Sequence, residues 1–129
     1  MLKGLLVLLL VLGLVCGVAS ASTSSLRGTY KATIAGKPAA LNGKWQLEFR
    51  PNGVLHVLRN GKLVVLSKTT SSGTRRFKVH DRSGAYACSR SEGDGAYTYK
   101  FVDRRLLFSA VKDKCVGRKL VFTTKPYTK

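Results

Sequence analysis

Acidic side chains are scarce in this sequence: six Asp and Glu stand against 23 Lys and Arg, a formal net charge of +17. That scarcity removes most of the material for paired-carboxylate catalysis and for calcium loops. Glu48, Asp81, Glu92, Asp94, Asp103 and Asp113 fall mostly in turn-like segments, where Asp beside Gly is ordinary backbone chemistry. Asp81, Glu92 and Asp94 match no calcium-loop spacing, and the surrounding positive charge opposes a cation. His56 and His80 are the only histidines, and they stand apart. No Gly-x-Ser-x-Gly elbow occurs. These absences argue against an enzyme, a bound metal or another cofactor. No segment reads as a long amphipathic helix either.

Cysteine is also sparse, and its placement is informative. Cys16 lies in a leader: Lys3 supplies one positive charge, Leu5 to Val15 an apolar run, and Ala19-Ser20-Ala21 small residues in an A-x-A exit. That order predicts a secretory signal peptide over residues 1–21, cleaved near Ala21, and so a secreted or periplasmic protein. The apolar run is short of the roughly 20 residues that a membrane anchor needs. A lipoprotein would want a small residue before Cys16 and a Leu three before it, but Val15 and Gly13 stand there. Cleavage leaves Cys88 and Cys115, an even pair in an oxidising compartment, which predicts a disulfide. It would close a loop of about 28 residues and contribute roughly 3–4 kcal/mol in the chain-entropy picture. A metal site is the rival for two thiols, but neither histidine lies near them.

Beyond a short lead-in at 22–27, the period is two. Tyr30, Ala32 and Ile34 alternate with Lys31 and Thr33, and Trp45, Leu47 and Phe49 with Gln46 and Glu48. Further strands are expected over 54–59, 62–68, 76–80, 86–88, 97–101, 105–111 and 119–124. Asn52-Gly53 and Asn60-Gly61 are hairpin dipeptides, and 71–73, 81–84 and 92–95 are loop chemistry. The segments at 41–43 and 112–118 could hold one helical turn. One domain over 28–129 is expected: all-β, an up-and-down antiparallel barrel of eight to nine strands, because short connections favour a barrel over a sandwich.

Gly43-Lys44-Trp45 opening an early strand resembles the lipocalins and the wider calycin superfamily. In that family the tryptophan plugs one barrel end and a late arginine packs over it, which implies this role for Arg118. The chain is also similar to small secreted bacterial lipocalin-like proteins of unknown role. The shared features are Gly28-Thr29-Tyr30, Gly95-Ala96-Tyr97, the turn 81–84, Cys88, and Asp113-Lys114-Cys115-Val116-Gly117-Arg118. The chain departs from the lipocalin pattern by placing a full strand, Gly28–Ile34, before the tryptophan.

The aromatics Tyr30, Trp45, Phe77, Tyr86, Tyr97, Tyr99 and Phe101 are assigned to the inward face. They either pack a core or line a pocket whose hydroxyls orient a ligand; several tyrosines together lean toward a lined pocket. Two functions follow as expectations for a monomer. One is a carrier or scavenger of a small amphipathic molecule in the barrel. The other is a basic envelope-interaction protein, holding an anionic polymer, a membrane surface or nucleic acid on its outside. Specific nucleic-acid recognition is not expected. Exposed aromatics interleaved with cations on one sheet face would mark it. Tyr97, Tyr99 and Lys100 are the nearest approach to that pattern. Arg75-Arg76, Arg104-Arg105 and 112–119 are basic clusters near turns, where solvated charge is ordinary.

Overall fold

A computed structural model of the protein describes residues 26–129. The expected leader 1–21, its cleavage site, Cys16 and residues 22–25 lie outside the described residues. The described residues are all-β with one α-helix. Seven antiparallel strands pair in sequence order: β1 (Gly28–Ile34), β2 (Gly43–Phe49), β3 (Val54–Arg59), β4 (Lys62–Gly73), β5 (Arg76–Ser83), β6 (Gly95–Val102) and β7 (Arg105–Lys112). The helix α1 (Val116–Thr123) follows.

The C-terminal chain completes the wall. Tyr127 exchanges both backbone hydrogen bonds with Leu106 on β7, and Thr128 exchanges both with Lys31 on β1. This short extended piece lies between the two edge strands and leaves the barrel nearly closed. It also covers strand edges that would otherwise be open to pairing with other chains.

The strand count is therefore seven, not eight or nine, and the difference lies in two segments. Residues 86–88 form no strand. There the Gly84 carbonyl accepts from Ala87 N and the Val64 carbonyl from Tyr86 N, which turns the chain back over β4. Gly84 permits this: its φ is +121°, and a Cβ there would meet the Val64 oxygen at 2.1 Å. Residues 119–124 belong to α1 instead of a strand. Arg118, Val121 and Phe122 are buried at i, i+3 and i+4, a helical spacing that the contiguous apolar run Leu120-Val121-Phe122 concealed. A single 3-10 turn occupies Ala39–Leu41, two residues before the segment 41–43 where a helical turn was allowed, and Gly43 already begins β2.

Alternation decides what fills the barrel. Leu47, Phe49, Leu55, Phe77, Tyr97 and Phe108 all point inward and are buried. Phe122 enters from α1, with its ring 4.7 Å from Tyr97, 5.0 Å from Phe108 and 6.0 Å from Phe77. These edge-to-face and offset contacts make a continuous aromatic core. The helix acts as the stopper of one end, and the Cys88–Cys115 disulfide ties its first turn to the β5–β6 loop.

Candidate functional site

The expected site residues separate into three groups. Tyr30, Phe77, Tyr97 and Tyr99 are buried inside the aromatic core. Trp45 is buried at the helix end, where its indole nitrogen donates to the Leu41 carbonyl at 2.7 Å. Tyr86 and Phe101 are 39 % and 48 % exposed and lie at opposite ends of the barrel. The seven aromatics therefore do not line one void.

The tyrosine hydroxyls already have protein partners. Tyr30 donates to the Arg27 carbonyl at 3.0 Å, and Tyr97 donates to the Asp113 carboxylate. Tyr86 accepts from Arg59 Nη1 at 2.6 Å. A small cup lies open beside α1, bounded by Leu41, Trp45, Val57, Val65, Tyr86 and Arg118 among others, with a volume of about 70 Å³. That is room for a few waters.

Arg118 anchors a buried clamp. Its Nε donates to Asp113 Oδ2 at 2.7 Å, and one Nη donates to Asp113 Oδ1 at 2.7 Å and to the Gly93 carbonyl at 2.9 Å. The other Nη lies 3.5 Å from Asp81 Oδ1 and makes no hydrogen bond. Asp81 itself accepts from Ser67 Oγ and from Cys88 N. One guanidinium thus ties the start of α1 to β5 and to the β5–β6 loop. Gly95 permits the close approach: a Cβ there would sit 2.5 Å from Asp113 Oδ2 and 2.7 Å from the Tyr97 ring.

Burial pushes the Asp113 carboxyl up, but hydrogen bonds from Arg118, Tyr97 and Cys115 N and the Arg118 charge outweigh it and hold it below the ordinary value. The Tyr97 hydroxyl is pushed far up, first by burial and then by the adjacent carboxylate. Burial pulls Arg118 down, but its two carboxylate partners raise it further. The clamp consequently stays in one charge state across neutral pH. Such an arrangement holds structure together; it offers no group poised to exchange a proton.

The resemblance assigned Arg118 to cover Trp45. The cation found over the indole is Arg59 of β3, 6.0 Å from that ring and 5.5 Å from the Tyr86 ring, with its Nε donating to the Asn42 carbonyl at 2.9 Å. Arg59 escaped sequence reasoning because it reads as one more cation beside a turn. Among the described residues no cluster of three His, Cys, Asp or Glu could hold a metal ion. None of the described helices is long and apolar enough to cross a membrane.

The exterior has a different character. Every described Lys and Arg except Arg59 and Arg118 is exposed. Most of the few carboxylates are spent on internal partners. Glu48 accepts from Gln46 and Arg50, Glu92 from Ser89, and Asp94 faces His80 at 2.7 Å, while Asp81 and Asp113 are buried. The cations are left facing solvent with little compensation, so the outer field is positive all round. No family model matches the chain, and neither a curated protein nor a solved structure matches it.

Proposed function

We propose that the protein works from its outside, as a basic domain that holds anionic polymer or lipid surfaces beyond the cytoplasm. The observation that carries this reading is the contrast between a barrel packed with aromatic side chains and an exterior whose cations outnumber the free carboxylates. The disulfide supports an oxidising compartment. The expected leader belongs to the same proposal. Kinship with the calycin superfamily does too, on the strength of Gly43-Lys44-Trp45 at the start of β2 and a nearly closed antiparallel barrel.

The test is retention of the purified protein on anionic vesicles and on a soluble anionic polymer as salt rises. Counterion release makes log K fall linearly with log salt, so a protein with several phosphate contacts loses on the order of 10³-fold in affinity between 50 and 200 mM salt. Retention that ignores salt, or no retention at low salt, refutes the reading. A second reading, a carrier of one small ligand, rests on the cup beside Trp45 and Tyr86. Its volume of about 70 Å³ limits it to a very small molecule.

A further inference from the structure

The up-and-down topology sends alternate turns to opposite ends of the barrel. The end away from α1 gathers the start of β1 and the β2–β3, β4–β5 and β6–β7 turns. Each of these places carries arginine: Arg27 before β1, Arg50 after β2, Arg75 in the β4–β5 turn with Arg76 opening β5, and Arg104 in the β6–β7 turn with Arg105 opening β7. All are exposed, and Lys129 lies beside Gly28 at the same end. Most of the arginines of the chain are therefore on one end. The carboxylates among them are Asp103 and Glu48, and Glu48 already holds Arg50 at 2.8 Å.

At the far end, the β3–β4 hairpin uses Asn60-Gly61, with φ of +50° and +80°, the residue types that tolerate a left-handed backbone. At the arginine end the β2–β3 turn uses Asn52 and Gly53 in the same way, with φ of +62° and +73°, while Arg75, φ +53°, and the pair Asp103 and Arg104, φ +50° and +63°, take left-handed positions in the other two turns. A long side chain is disfavoured there where Asn or Gly would sit easily.

Apolar surface accompanies the charge. Phe101 and Val102, at the end of β6, are 48 % and 45 % exposed and directly precede Asp103-Arg104-Arg105. Val102 shares a shallow surface depression with Leu107 and Pro126. Guanidinium groups take phosphate oxygens two at a time. Apolar tips among them suit the headgroup boundary of a bilayer, whereas a nucleic acid strand would ask for a groove that follows its backbone.

We propose that this arginine-bearing end docks on anionic phospholipid bilayers, with the Phe101–Val102 tip at the headgroup boundary. The inference rests on the exterior-binding reading and narrows it to one face and one partner. The experiment compares the purified protein with two triple variants of equal charge loss, R75Q/R104Q/R105Q at the end and K68Q/K78Q/K112Q on the wall. Partition is measured into phosphatidylglycerol–phosphatidylcholine vesicles and pure phosphatidylcholine vesicles. The end variant is expected to lose on the order of 100-fold in partition into the anionic vesicles, and the wall variant about fivefold or less. Because all six sites are exposed, folding is not at stake.

A Val102→Trp variant should show a blue shift in emission with anionic vesicles, and Val111→Trp on β7 should show none. Equal losses in the two triple variants overturn the docking face while leaving the exterior reading intact. Tight binding to a single-stranded oligonucleotide with no vesicle partition overturns the lipid assignment. Binding to neither defeats both readings.

Discussion

Replacing Asp113 by Asn removes one negative charge and almost no volume from the buried clamp. The carboxylate is fully enclosed, and its guanidinium partner is 5 % exposed, so solvent screens neither. Asn could still accept from Tyr97 or from Cys115 N, but it cannot meet both nitrogens of Arg118 as an acceptor. The guanidinium would keep the Gly93 carbonyl at 2.9 Å, but its only charged partner would be Asp81, at 3.5 Å and without a hydrogen bond. Breaking one side of a buried ion pair typically costs about 3–5 kcal/mol. For a domain of this size that lowers Tm by roughly 15–30 °C. Guanidinium chloride melts followed through Trp45 would show the midpoint fall with little change in slope.

The sign of the pH dependence follows from the lowered Asp113 value. Stability from this group is present above the ordinary carboxylate value, about 4 in an unfolded chain. It is lost as pH falls through the lower folded value. The gap between the wild type and D113N should therefore be constant from pH 5 to 8 and narrow below about pH 4. A cost under about 1 kcal/mol, or a gap unchanged in acid, would refute the claim that the clamp carries the helix end.

Reducing the disulfide, or changing Cys88 and Cys115 to Ser, should cost roughly 3–4 kcal/mol in denaturant melts. Loss should fall first on α1 and the β5–β6 loop, seen as faster amide exchange there. Deleting Tyr127–Lys129 removes a fully buried ring and reopens both edge strands. Amide exchange at Lys31 and Leu106 should become fast, and the truncated protein should associate at high concentration.

Fold class was largely legible because period-two alternation is a local signal. Trp45, Leu47 and Phe49 point inward as that pattern requires, and Asn60-Gly61 makes the hairpin turn its dipeptide predicts. The helix was hidden because Leu120, Val121 and Phe122 are contiguous apolar residues, which suit a strand as well as one short helical face. Tyr127 and Thr128 give no sign of closing the barrel, since two backbone pairings need no sequence pattern.

The cysteine pair could be read from counting. The Asp113–Arg118 clamp could not be read in full, because its other contacts, Asp81 on β5 and Gly93 in the β5–β6 loop, are distant in sequence. The arginine end was visible only as separate doublets. Arg75-Arg76 and Arg104-Arg105 look like ordinary turn charge until the topology places their turns side by side.

The most direct test of the exterior reading is a backbone amide shift map of the isotope-labelled protein titrated with small anionic bicelles at low salt. Shifts are expected on the outer basic surface, led by Arg75, Arg104 and Arg105, with the amides of Trp45, Val121 and Phe122 unmoved. Shifts concentrated at Trp45, Tyr86 and Val121, around the cup, would contradict it and place function inside the barrel.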